Sequence, residues 1–283
     1  MTNNKTAMID VGGGFRSIYG AGVTDQLIDR GITFDKCYGV SAGSANIVSY
    51  LAGQRGRTKK FYTDYAFRPE YASANNFIKF HNYANLDYIY STLSNSDGEY
   101  PLDYKTFAAS PTEFTVVACD ARNGHARYFD KSDVHQDNYN IMKASSAVPV
   151  ACEPYVIDGV PYYDGGIADP IPVQLAVNEG FDRIVLVLTH QRDFVRKAKR
   201  DAAPAAILKH SYPAAAERLK NRYRTYNEEM EVAEKLAAEG KLLILAPKDL
   251  YGLDTLSKNS EGLEKMYQDG FEAAKAVPEF LAG

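Results

Sequence analysis

The sequence predicts an α/β fold built on a mostly parallel central sheet. Three observations predict it. Strand and helix patterns alternate through the opening quarter of the chain, short β-branched runs recur later between turn residues, and two Asn-Gly or Asp-Gly pairs mark hairpins. The alternation supplies the crossovers that parallel strands require, and the hairpins make the sheet mixed.

Residues 7–11 form an apolar run that ends in Gly12-Gly13-Gly14, as a first buried strand entering a glycine loop does. The helix expected next buries Val23, Leu27 and Ile28 and stops before Gly31. Residues 34–40 are a second strand, and Ser41 opens a helix whose Ile47, Val48 and Leu51 face the core. From Arg55 to about Leu93 the chain is crowded with aromatic residues: Phe61, Tyr62, Tyr65, Phe67, Tyr71, Phe77, Phe80, Tyr83, Tyr88 and Tyr90. They read as helix faces packed on the sheet and as walls of an apolar cleft, two readings that are compatible.

Residues 112–119 are a central strand, returned by Asn123-Gly124 into residues 126–129. Asp158-Gly159 joins residues 155–157 to 160–163 in the same way, and residues 183–189 and 242–246 complete the strands. Residues 214–239 and 261–281 read as amphipathic helices. Between the last two strands Arg192, Arg196, Lys197, Lys199 and Arg200 read as a solvated basic face, with anionic lipid contact as the minor alternative. No linker or repeat interrupts the chain. The expectation is one domain over 1–283, with a motif-bearing core at about 7–189 and a C-terminal completion over 190–283.

A chain of 283 residues, 45% hydrophobic, can bury a large core, and its net charge of -4 argues against general affinity for nucleic acid. The opening Met1-Thr2-Asn3-Asn4-Lys5-Thr6-Ala7 lacks the apolar run of a signal peptide, and no stretch is long enough to cross a bilayer. Cys37, Cys119 and Cys152 stand in no paired spacing, which fits buried free thiols in a cytoplasmic protein.

Gly39-Val40-Ser41-Ala42-Gly43 is a G-x-S-x-G elbow, a turn that exposes a serine hydroxyl at a helix N-terminus. A serine needs a base. One choice is a histidine: Ser41, Asp164 and His190 occur in α/β-hydrolase order, although only one strand precedes the elbow strand where that fold has four. His81, His125, His135 and His210 stand in polar or turn settings, and His190 ends a strand. The other choice is a carboxylate alone, Asp164 in Tyr162-Tyr163-Asp164-Gly165-Gly166, which also reads as a plain Asp-Gly turn. Gly12-Gly13-Gly14, fixed by Arg16, can present amides to an oxyanion. It departs from the dinucleotide G-x-G-x-x-G spacing and lacks the Lys-Ser/Thr of a phosphate loop.

In order, Gly12-Gly13-Gly14-Phe15-Arg16, Gly39-Val40-Ser41-Ala42-Gly43, Ala144-Ser145-Ser146-Ala147-Val148-Pro149 and Asp164-Gly165-Gly166 resemble the patatin-like phospholipase family of lipid acyl hydrolases. The resemblance runs from about Ala7 to Thr189. It implies a three-layer α/β/α sandwich and a Ser-Asp dyad with Ser41 as nucleophile and Asp164 as base. It also implies an oxyanion hole at Gly12, Gly13, Gly14, Phe15 and Arg16, with residues 144–149 lining the site. It implies a lipid or ester substrate. Peripheral contact with a membrane surface is also expected, and no metal or cofactor, since no His/Cys/Asp cluster has ligand spacing. The family usually carries glycine after the arginine, where this chain has Ser17; a positive φ there costs a serine about 1 kcal/mol. Three alternatives remain at this level: a triad through His190, a non-catalytic lipid- or partner-binding fold, and a nucleotide site at residues 12–14.

Overall fold

The computed structural model describes residues 5–283. Met1–Asn4, part of the opening read above as lacking an apolar leader, lie outside the described residues. Side chains alternate across each strand, and this sorts the core into layers. On β1 (Thr6–Asp10) Met8 packs to one face while Ala7 and Ile9 pack to the other. On β7 (Arg183–Val187) Val185 and Val187 share the Met8 face, and Ile184 and Leu186 the opposite one. Both faces are buried, so these strands read as continuous apolar runs.

The remaining strands are β2 (Lys36–Val40), β3 (Glu113–Asp120), β4 (Ala126–Asp130), β5 (Tyr155–Ile157), β6 (Val160–Asp164) and β8 (Leu242–Leu245). They form one sheet in the order β5-β6-β3-β2-β1-β7-β8, with β4 also on β3. The run β3-β2-β1-β7-β8 is parallel, and β4, β6 and β5 join antiparallel to their neighbours.

The helices are α1 (Ile18–Asp29), α2 (Ala42–Leu51), α3 (Arg57–Thr63), α4 (Ala74–Phe80), α5 (Tyr104–Ala109), α6 (Asn140–Ser146), α7 (Val173–Asn178), α8 (Lys199–Leu208), α9 (Pro213–Ala238), α10 (Ser260–Ala273) and α11 (Val277–Ala282). α1, α2 and α10 cover the Met8 face; α7 and α9 cover the other with Val173, Ala176, Tyr226, Met230 and Ala233. The result is an α/β/α sandwich around a mixed sheet.

Register along β3 brings the two ends of the site together. Val117 pairs with Val40 on one edge and with Tyr128 on the other. Ala118 pairs with Asp164 and with Arg127. A strand edge takes one partner at a time. β4 therefore holds one edge, and β6 follows β2 along the other, where β2 stops at Val40. Ser41 and Asp164 thus reach the same point of the sheet from opposite directions.

Two expectations are corrected. Residues 261–281 are not one helix: α10 and α11 are separated by a 3-10 turn at Ala274–Ala276, and Pro278 starts the second. Proline lacks the N–H that a continuing helix needs but suits a first turn. The basic run is not uniformly solvated, because Arg196 is buried against Asp201. The three cysteines are free and buried.

Candidate active site

β2 ends in the elbow. Ser41 sits at φ 54° and ψ -134°, a conformation that costs a non-glycine residue about 1–3 kcal/mol. The surroundings impose it. The Ser41 N–H donates to Ser145 Oγ at 2.8 Å, and that hydroxyl donates to the Val117 carbonyl at 2.6 Å. Ser44 Oγ donates to the Ser41 carbonyl at 2.6 Å. The flanking glycines leave room for the turn: a Cβ at Gly39 would stand 2.6 Å from Ser44 Cα, and one at Gly43 2.3 Å from the Asp10 carbonyl.

The glycine loop lies on this elbow. A Cβ at Gly12 would fall 2.2 Å from the Val40 carbonyl and 3.1 Å from the Ala42 amide. Asp10 fixes the loop. Its carboxylate accepts from the Gly12 N–H at 3.0 Å and from Asn46 Nδ2 at 2.7 Å. Burial pushes its pKa up to about 6 against the pull of those two donors. The Phe15 amide donates to the Thr255 carbonyl at 3.2 Å. The Gly12 and Phe15 amides are therefore occupied. Those of Gly13 and Gly14 have no acceptor among the described residues, and both glycines line the Ser41 cleft. Arg16 is tied to Asp254 and Thr255. Ser17 sits at φ -66°, so the strain expected of a serine there does not arise.

Asp164 ends β6. Its Oδ1 accepts from the Gly166 amide at 2.8 Å. Ser41 lines the same polar cavity, and its hydroxyl is among the groups that bear on this carboxylate. Burial raises the Asp164 pKa; the Arg222 charge and the Ser41 and Gly166 donors oppose the rise. Gly166 admits Arg222: a Cβ there would lie 2.6 Å from Arg222 Nη2 and 3.0 Å from Asp164 Oδ1.

His190 lies in the same cleft but outside this pair. Neither ring nitrogen has a hydrogen-bond partner, and the ring stacks on Phe194 at 3.9 Å. Burial, with Arg16, Arg200 and Arg196 nearby, pushes its pKa down to about 3. The other four histidines are exposed.

Two cavities meet at Ser41, sharing Gly14, Val148 and Thr255 as walls. One is apolar and lined by Phe15, Val48, Phe61, Tyr62, Tyr71 and Tyr90 among others. The aromatic span thus supplies both core and cleft, while Phe67, Phe77 and Phe80 remain exposed. The other cavity is polar and holds Asp164, His190, Arg196 and Arg222. Sequence reasoning passed over Asp10, Arg222 and the pinning role of Ser145. A charged residue closing an apolar strand was the available signal for Asp10; nothing local marked Arg222.

The family model described as patatin-like phospholipase matches residues 11–177, and a second, a domain of unknown function (DUF6363), matches residues 212–281. The first covers more than half of the chain, which therefore belongs to the patatin-like phospholipase family. The uncharacterized protein YjjU of Escherichia coli (strain K12) is 30% identical over 190 residues, 65% of this chain and 52% of its own length. The chain thus spans about half the length of that curated relative. The structure of VipD from Legionella pneumophila is similar with a TM-score of 0.55 and 13% identity, over 99% of this chain and 67% of that one. At that identity the likeness is one of fold.

Proposed function

We propose that the protein is a serine acyl hydrolase that cleaves carboxylic esters of lipids with Ser41 as nucleophile and Asp164 as base. The observation that carries this reading is Ser41 and the buried Asp164 carboxylate facing one cavity, with His190 bonded to neither. Asp164 takes the hydroxyl proton as Ser41 Oγ bonds to the ester carbonyl carbon. The free Gly13 and Gly14 amides are the donors suited to the resulting oxyanion, each worth about 3–4 kcal/mol in comparable sites. Collapse breaks the ester C–O bond, and the alcohol leaves with the proton held by Asp164. Water then attacks the acyl-enzyme, gives its proton to Asp164, and releases the acid as Ser41 recovers its hydrogen. A raised pKa suits a lone carboxylate to this work.

The apolar cavity is the matching acyl site. The same reading treats residues 1–283 as one domain, supported by β8 extending the sheet beside β7 and by α10 packing on α1. It also includes peripheral membrane contact. Phe77, Ile78 and Phe80 are exposed on or beside α4, and Ala72 and Ala84, which flank that excursion, bridge each other and line the apolar cavity. No helix among the described residues is long and apolar enough to cross a membrane.

Ser41→Ala and Asp164→Asn are each expected to cut hydrolysis of a short-chain p-nitrophenyl ester by about 10⁴-fold or more. Circular dichroism would check that the variants stay folded. Near-normal turnover in either variant overturns the assignment, and a large loss in His190→Gln alone would restore the triad.

A further inference from the structure

Of the two cavities that meet at Ser41, an acyl chain accounts for only one. The polar one encloses cations, and buried cations are costly unless something pairs them. Arg196 is paired with Asp201 through two bonds of 2.8 and 2.7 Å. Arg16 and Arg200 share Asp254. Arg222 enters no ion pair among the described residues, and its buried Nε has no acceptor. The carboxylate next to it, Asp164, belongs to the reaction. His190 is 7% exposed, lines the cavity, and leaves both ring nitrogens unbonded. Four arginines thus stand against Asp164, Asp201 and Asp254, which leaves one positive charge in excess.

Unused, directed N–H donors in a net positive, desolvated chamber are what an oxyanion group requires. The chamber measures about 130 Å³, against about 10–15 Å³ for a single water, so a tetrahedral oxyanion fits. Its unpartnered groups come from outside the family match at residues 11–177, and Arg222 lies in the matched segment of unknown function.

We propose that this chamber is a subsite for a phosphate group carried on the alcohol side of the scissile ester, and that the C-terminal segment supplies it through Arg222 and His190. The assignment rests on the proposed function: with the acyl chain in the aromatic cavity and the carbonyl at Ser41, the leaving alcohol faces the chamber. Arg222 then has two tasks, binding the phosphate and setting the field at Asp164. Neutral His190 donates one N–H.

The test compares 1-hexanoylglycerol 3-phosphate with 1-hexanoylglycerol, which share an acyl chain. Wild-type kcat/KM is expected to favour the phosphate ester by about 10- to 100-fold, the range of one or two charge-assisted bonds. Arg222→Gln is expected to remove most of that preference, and Arg222→Lys to keep part of it. Equal kcat/KM values in the wild type, or an unchanged ratio in Arg222→Gln, overturn the proposal. If the wild type cleaves neither ester, the hydrolase reading falls separately. Calorimetric titration of Ser41→Ala with inorganic phosphate and with glycerol 3-phosphate then decides the chamber. Binding of glycerol 3-phosphate that Arg222→Gln abolishes upholds it. No binding, or binding of inorganic phosphate alone, overturns the head-group assignment. Should Arg222→Gln fail to fold, the His190 ring resonances of the wild type answer instead: they shift on adding glycerol 3-phosphate, or the proposal falls.

Discussion

Ser41 occupies backbone that a serine avoids, and the restraint comes from Ser145, far along the chain. Its hydroxyl accepts the Ser41 N–H and passes its own hydrogen to Val117. Ser145→Ala leaves that buried N–H without an acceptor, at a cost of about 1–3 kcal/mol. Urea denaturation should show the loss, and kcat for a short-chain ester should fall as the elbow relaxes. An unchanged kcat would mean that the turn is held by its glycines alone. Asp164 makes a second residue-level claim. The proposed base works when ionised, and burial raises this carboxyl above its ordinary value of 3.8. The acid limb of kcat/KM should therefore lie above that value, with activity rising as pH carries Asp164 into its ionised form. The Arg222 charge pulls the pKa down, so Arg222→Gln should move the limb to higher pH. A limb that stays put in that variant would detach Arg222 from the base.

The elements differ in how openly they announce themselves. β1, β2, β3 and β7 were legible because strands buried on both faces leave unbroken apolar runs. The hairpins were legible because Gly124, at φ 74°, and the pair Asp158-Gly159, at φ 49° and 76°, meet the left-handed backbone their turns need. The turns that carry Ser41 and Asp164 were legible because glycines must surround both. α5, α6 and α7 were not, since six or seven residues hold too few turns to show a period. Arg196 looked solvated because its partner, Asp201, is recognisable only once α8 has turned it inward. α4 tests the membrane reading at this scale. Ile78 is 76% exposed and Phe80 60%, a cost the fold could avoid with polar side chains. Ile78→Ser with Phe80→Ser should reduce co-sedimentation with phosphatidylglycerol-containing vesicles several-fold, on the order of 1–2 kcal/mol of lost apolar burial. Undiminished vesicle binding would move the contact elsewhere.

At the scale of the molecule, the question is how the segment beyond residue 177 is joined to the family core, and one joint is a pair of carboxyl groups. Asp169 follows the Asp164 turn and Glu229 lies on α9; the two side chains hydrogen-bond each other. Tyr128 Oη donates to Asp169 at 2.7 Å, and the Ile171 N–H donates to Glu229 at 2.8 Å. Two carboxylates cannot share this space fully ionised. Burial, then the charge of Asp169, raises the Glu229 pKa, and burial raises that of Asp169. The folded state therefore keeps a proton that the unfolded chain releases. Its stabilising contribution is complete below the ordinary Glu value of 4.5 and is lost as pH rises toward the folded value. Glu229→Gln replaces that proton with an amide, which donates to Asp169 while its carbonyl still accepts from Ile171. At pH 8 the variant should melt higher than the wild type, by about 2–4 °C for each 1 kcal/mol recovered, and near pH 4.5 the gain should vanish. A gain that is flat across pH would reduce the effect to packing. A loss at pH 8 would mean that the joint between α9 and the Asp164 turn depends on a charge rather than on a shared proton.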